Sequence, residues 1–368
     1  MTKVDRAQVL AYRASRHQFD RTVGAPVDLA VLDLGVQFAS PEGGAVSLAA
    51  RLEPGFDPSG LRAAWTHRGA PHWHRPGELL DLANALWPLS DDDAGNRLAA
   101  LGSKLRKAAF SATDAMRVTA EAVANALSDV DEDGITKGEL SRAVTAELPD
   151  LLTPWCGPCG VAHVNEQLLR LATLPGGGRI VPGPPPVRFT PLERWRAVPK
   201  KAADTRSVLC SYLHLHGPAQ RSDVAGFVGT TARALAPVWP GNLVEVTYDG
   251  RNGYLAEADL GDLKAAEAPD GVRLLPPWDP YLQARDRDLL VPDRAQQKEI
   301  WKIIGNPGAI LVGAEVVGTW RAKKASKKLK VNLAPFAKLT KKVLAVIADE
   351  AELMGAIRGC PSTDVVVA

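Results

Sequence analysis

The chain has 368 residues, 46% hydrophobic and 23% charged, with 44 Lys and Arg against 42 Asp and Glu for a net charge of +2. That length accommodates two or three domains with sizeable cores, no run of about 18 apolar residues is present to cross a membrane, and four scattered cysteines make no disulfide framework. The N-terminal Met-Thr-Lys-Val-Asp-Arg lacks an apolar signal core, so a cytoplasmic location is predicted.

Arg6 to Phe19 has helical spacing, with Val9, Leu10, Tyr12 and Phe19 as its apolar positions. The apolar run Val27 to Val36 predicts a second helix ending near Gly35, and Ala45 to Leu52 a third. Leu61 to His74 passes through Gly69-Ala70-Pro71 and reads as a hairpin. Ala- and Leu-rich helices are expected over Glu78 to Trp87 and through much of Asp91 to Ser128.

The next section has the clearest period. Asp114 to Leu127 is amphipathic, and Thr136 with Glu139 three places on forms a capping box for a following helix. A third helix is expected at Val164 to Leu174, then a hairpin from Arg179-Ile180-Val181 to Val187-Arg188-Phe189 across a Pro/Gly turn. Helix, helix, helix, hairpin is the order of a winged helix-turn-helix. The order recurs with Ser207 to His214, a break at Gly217-Pro218-Ala219, Arg221 to Val228 and a short Thr230 to Pro237. Leu243 to Tyr248, a turn at 249–253 and Tyr254 to Ala256 close the second wing.

Ala309 to Val312 and Val316 to Trp320 form a further hairpin about Gly313-Ala314. A second return runs from Trp320 through Ala325-Ser326 to Leu333. Between Thr319 and Lys342 there are nine cations and no acid: Arg321, Lys323, Lys324, Lys327, Lys328, Lys330, Lys338, Lys341 and Lys342. Concentrated in a chain of nearly balanced charge, they favour a polyanion, and a projecting basic ribbon suits the phosphates of a nucleic acid. The predicted fold class is α+β, mostly helical, with tandem winged helix-turn-helix modules and a basic β-hairpin region at the C-terminus. Its predicted divisions are 1–110, 111–197, 198–275 and a β-rich 276–368.

Several motifs invite chemistry that their context does not support. Trp155-Cys156-Gly157-Pro158-Cys159 is a thioredoxin-like string, but it follows a helix tail and not a buried strand. With His163 the pair offers three zinc ligands and no obvious fourth, so no metal and no cofactor is predicted. Asp129 to Gly134 begins like a calcium loop, yet its twelfth position is Leu140. His67, His72 and His74 cluster at the hairpin turn, with His72 and His74 on one strand face. A hairpin carrying polar groups towards a ligand accounts for them as well as a metal does.

Other strings carry a resemblance: Asp28-Leu29-Ala30-Val31-Leu32-Asp33-Leu34-Gly35-Val36-Gln37, Trp65-Thr66-His67-Arg68-Gly69-Ala70-Pro71-His72, Trp278-Asp279-Pro280-Tyr281-Leu282, Leu289-Leu290-Val291-Pro292-Asp293-Arg294 and Gly318-Thr319-Trp320-Arg321. Together they resemble the bacterial winged-helix DNA glycosylases of the AlkZ and YcaQ type over essentially the whole chain. The resemblance implies excision of bulky or crosslinking alkylated purines from double-stranded DNA by hydrolysis of the N-glycosidic bond. The implied protein is a monomer of the cytoplasm and nucleoid. The family's catalytic motif is Gln, an apolar residue, then Gln or Asp; the matching positions are Gln37, Phe38 and Ala39.

The resemblance therefore makes Gln37 the catalytic residue that positions water, while Ala39 can neither hold a water nor take a proton; Asp33 and Glu42 are nearby carboxylates that could substitute. The expected DNA-binding residues are His67, Arg68, His72 and His74 on the hairpin and Arg321, Lys323, Lys324, Lys327, Lys328 and Lys330 on the ribbon. The alternative is a non-catalytic DNA-binding protein, a regulator or damage recogniser, which Ala39 favours. A third reading, a protein-docking scaffold, leaves the nine cations without a purpose.

Overall fold

The computed structural model describes residues 2–367. The chain packs as two compact units: one comprises the chain up to Gly60, Cys210–Val224 and the chain from Pro240 onward, the other Leu61–Leu209 and Ala225–Trp239.

In the first unit the opening helix Arg6–Arg16 starts where Asp5 accepts the Gln8 N–H at 2.8 Å, and it buries Val9, Leu10 and Tyr12 as its spacing requires. The expected helix over 27–36 is instead two 3₁₀ turns, Pro26–Asp28 and Ala30–Asp33, separated by an extended Leu29. Gln18 accounts for the break, because its side-chain carbonyl takes the Ala30 N–H at 2.7 Å that a helix would have used. Leu29, Val31, Leu32, Leu34 and Val36 are all buried, so no polar face remains for a surface helix. A capped helix follows at Pro41–Ala49.

A parallel strand, Thr2–Val4, and the antiparallel pair Leu243–Tyr248 and Arg251–Ala256 make a three-stranded sheet. Its hairpin turns on Asp249-Gly250 alone, both with positive φ, which is tighter than the turn expected at 249–253. A five-stranded sheet runs in the order Val272–Leu275, Gly308–Val312, Glu315–Ala325, Lys328–Pro335 and Ser362–Val367. The predicted β-rich region also holds the 17-residue helix Lys341–Ile357, which packs Ile347, Ala351 and Met354 against Trp320, Leu329 and Val331. Gly308 makes room for Trp320: a Cβ there would lie 2.2 Å from the indole.

The second unit carries Ala112–Leu127, capped by Ser111, then Lys137–Glu147, Glu166–Thr173 and the hairpin Gly178–Val181 with Arg188–Pro191. The capping box is formed: Thr136 Oγ1 accepts the Glu139 N–H at 3.2 Å and Glu139 accepts the Thr136 N–H at 2.7 Å. Strands Pro71–His74 and Arg62–Trp65 pair, and the latter continues the sheet to Gly178–Val181. Trp87, Leu98, Leu105, Met116 and Leu168 centre this unit's helical core. In the remaining stretch the helices are Thr205–His216, Arg221–Val228 and Ala232–Leu235.

Candidate nucleic-acid interface

Gln37 ends a two-residue strand, Val36–Gln37, with Val36 buried and Gln37 half-buried. Phe38 points inward, while Ala39 and Ser40 lie at the surface just before the Pro41–Ala49 helix. Ser40 caps that helix by accepting the Gly43 N–H. Val46 on the helix enters the core built by Trp320, Leu329 and Ile347, so the Gln37 segment and the basic sheet share one packed unit.

Glu42, in the first turn, is also electrostatically joined to the ribbon. Its own backbone N–H holds the carboxyl below its ordinary value, followed by the Ser40 hydroxyl and the charges of Arg358 and Lys324. Lys324 Nζ in turn donates to Arg358 O at 2.8 Å. Glu42 is therefore an exposed, ionised carboxylate three residues beyond Ala39, whereas the alanine itself offers no polar atom.

The ribbon is not the free arm that was expected. Glu315–Ala325 and Lys328–Pro335 are its strands, the turn is Ser326-Lys327, and Ser362–Val367 runs parallel along the outer strand. Leu329, Val331 and Leu333 face the core; Lys328, Lys330 and Asn332 face out. Lys323 sits directly opposite Lys330, and Arg321 opposite Asn332, so the two strands put like charges together on the exposed face. Opposed cations destabilise a sheet, as Lys341 and Lys342 do at the positive end of a helix that has no acid in its first turn. Such placements do nothing for the fold and are suited to a polyanion. Arg321, Lys323, Lys324, Lys327, Lys328 and Lys330 are all exposed, and Lys328 meets Asp364 at 3.3 Å.

A second basic surface escaped the sequence reading. Arg285, Arg287, Arg294 and Lys298 line a cleft of about 450 Å³ with Asp288, Gln297 and Trp301. The Arg287 guanidinium lies over the Trp301 ring, 4.9 Å from its centroid. In the sequence these cations alternate with Asp286, Asp288, Asp293 and Glu299, and the local charge cancels. In the structure Asp286 pairs with buried Arg13, Asp288 with Arg251 and Glu299 with Lys302, while Asp293 caps the helix Arg294–Ile300. The acids are committed elsewhere, which leaves the cations to dominate the cleft. Burial lowers the affinity of Arg285 and Arg287 for their protons, and for Arg287 the neighbouring Arg285 charge adds to it.

The 62–74 hairpin corrects another expectation. His67, His72 and His74 are 1%, 2% and 1% exposed, so their imidazoles face the interior and not the outer surface of the hairpin. Thr66 Oγ1 meets His72 Nδ1 at 2.8 Å and His74 Nε2 at 3.3 Å, and His67 packs on Phe227 with centroids 4.8 Å apart. Burial holds His67 and His72 neutral, each well below its ordinary range, and their like-charged neighbours add to this. Arg68 occupies the turn at φ 57 and is half-buried; its guanidinium donates to Phe227 O and stacks over the Phe227 ring. An apolar wall around the rings explains the outcome, since Trp65, Leu171, Leu174 and Val228 line the small cavity beside His67.

No helix among the described residues is long and apolar enough to cross a membrane. No curated protein matches the chain in sequence. In structure the chain is similar to the DNA glycosylase AlkZ of Streptomyces sahachiroi, at 20% identity with a TM-score of 0.74 and all of both chains covered, a likeness of fold. The family model described as DNA glycosylase AlkZ-like matches residues 34–357, from just before Gln37 to the end of the C-terminal helix. By that match, the chain belongs to the AlkZ-like DNA glycosylase family.

Proposed function

We propose that this protein is a DNA-repair glycosylase that hydrolyses the N-glycosidic bond of alkylated purines, bulky or crosslinking, in duplex DNA. The observation that carries the reading is the shared placement of Gln37 and the cationic sheet in one unit, with Glu42 sensing Lys324 and Arg358 between them. Cations along the 321–330 ribbon grip phosphates, which supply affinity without base readout, and the lesion supplies selectivity. The element order of 111–197 and 198–275 suits two winged-helix modules, and the protein acts as a monomer on DNA in the cytoplasm and nucleoid.

Breaking an N-glycosidic bond builds positive charge on the sugar and needs a placed water. An alkylated purine is already cationic and leaves with little acid assistance. Gln37 orients the water through its amide, which is a poor base. Ala39 contributes nothing polar, so a neighbouring carboxylate, the ionised Glu42 or Asp33 on the other side of Gln37, steadies the developing positive charge. The experiment is incubation of the full chain with duplex carrying N7-methylguanine or a bulkier adduct, followed by detection of abasic sites. Abasic product that disappears in Gln37→Ala supports the reading.

Ala39 favours a second reading, a family member that recognises damage without cutting. Tight duplex binding with no abasic product at high protein excess would establish it in place of the first.

A further inference from the structure

Cys156, Cys159 and His163 lie on a small outlying loop of the second unit. Trp155–Cys156 and Val161–Ala162 pair as a two-stranded hairpin, and the turn between them closes with Gly160 N–H donating to Cys156 O at 2.9 Å. Gly160 takes φ 66, a left-handed conformation that suits glycine directly after the second cysteine. The hairpin has almost no apolar support of its own: Trp155 is 70% exposed and Val161 52%. A two-stranded hairpin of this length is at best marginal in water, so something other than burial must fix it. The flanking chain is anchored, with Asn165 N–H donating to Leu152 O and Val164 N–H to Thr145 Oγ1, each at 2.9 Å.

One ligand atom from each of the three residues lies within 4.8 Å of the others. A tetrahedral ion with bonds of about 2.3 Å to sulfur and about 2.0 Å to nitrogen would draw them together through small side-chain rotations. One further contact prepares a donor. His163 Nδ1 lies 2.8 Å from Val164 O; an Nδ1–H donated there fixes the tautomer and leaves the Nε2 lone pair for a metal. Redox chemistry lacks its usual device, because Cys156 stands on an exposed strand and the next helix, Glu166–Thr173, starts well beyond both thiols.

We infer that Cys156, Cys159 and His163 form a zinc site that clips the 155–163 loop, with water in the fourth coordination position. The ion replaces the missing core of the hairpin and holds Trp155 outward on a rigid support. Binding displaces two thiol protons and involves no change of oxidation state, so no oxidant or reductant is needed.

The test is titration of the full reduced chain with Co²⁺, then displacement by Zn²⁺. The expected result is a sulfur-to-cobalt charge-transfer band with intense tetrahedral d–d bands, saturating at one ion per chain and erased by Zn²⁺. Both features should be lost in Cys156→Ser and in Cys159→Ser, and His163→Ala should shift the d–d bands. Unchanged circular dichroism in the variants assigns the loss to the ligands. If a variant misfolds, the wild-type titration still decides. Absence of tetrahedral cobalt spectra in the wild-type chain, or a disulfide between the two cysteines that forms equally fast with and without Zn²⁺, would overturn the site.

Discussion

The Arg51 guanidinium and the Asp279 carboxylate meet as a fork, Nη1 to Oδ2 and Nη2 to Oδ1 each at 2.8 Å, with neither side chain reaching solvent. Ser47, on the helix that follows Gln37, donates to the same carboxylate at 2.5 Å. Asp279 also accepts the Tyr281 N–H, so the Trp278-Asp279-Pro280-Tyr281 string that carried the resemblance is a clamp on the Gln37 helix. Its role is to hold that segment in place.

Breaking this fork on one side leaves an uncompensated buried charge. Asp279→Ala should therefore destabilise the protein by about 3–5 kcal/mol, measured as a lower urea midpoint. Ser47→Ala, which removes one donor and leaves the fork, should cost about 1–3 kcal/mol. Equal losses for the two variants would contradict a clamp built on the ion pair.

Phosphate gripping by the exposed face predicts a salt dependence. Lys323→Ala with Lys330→Ala should weaken duplex binding and lower the slope of log K against log salt by about 0.9 for each phosphate contact removed. Asp364, which opposes Lys330 and pairs with Lys328, acts in the other direction: Asp364→Asn should tighten binding. A slope unmoved by the double variant would remove this face from the interface.

His67 gives a signed pH dependence. It is neutral when folded because its affinity for a proton is pushed well below the ordinary value of 6.5, which the unfolded chain retains. Above about pH 6.5 neither state binds the proton, and its stability contribution is full. As pH falls below 6.5, towards the folded value, the unfolded state gains a proton that the folded state refuses, at about 1.4 kcal/mol per pH unit. Urea unfolding at pH 7.5, 6.5 and 5.5 should show this loss, and His67→Gln should flatten the profile by one proton.

The Gln37 segment makes a kinetic prediction. Gln37→Ala should abolish abasic-site formation while leaving duplex affinity within about twofold, since the phosphates supply the affinity. Ala39→Gln should raise the single-turnover rate by up to about 100-fold, the lower end of what a placed proton-transfer group contributes. Glu42→Gln should slow the wild-type chain more than the Ala39→Gln chain. An unchanged rate in all three would separate the chemistry from this segment.

Local chemistry was legible where one stretch of chain decides the outcome. The Thr136 and Glu139 box, the Gly313-Ala314 return and the alternation of Lys328, Lys330 and Asn332 with Leu329, Val331 and Leu333 are all written in adjacent residues. Partnerships between distant segments were not. Arg51 meets Asp279 across 228 positions, and Ser362–Val367 joins Lys328–Pro335 in parallel without any turn to announce it. The same blindness hid the cleft at 285–298, because only the fold shows that its acids are engaged elsewhere. The three hairpin imidazoles looked like surface chemistry for a related reason: polarity is visible in sequence, but the apolar wall around them comes from residues far along the chain.

The strand Ser362–Val367, lying along the outer ribbon strand right up to Lys328, has one more effect. With both of its edges occupied from Lys328 to Leu333, this strand would, on the proposed function, meet DNA already set, like the teeth of a comb, and would not have to order itself around the duplex. Most of the adjustment would then fall on the helix of DNA. Association should proceed with a small heat-capacity change and with little sensitivity to osmolytes that promote folding, and damaged duplexes that bend easily should be held longer than stiff ones.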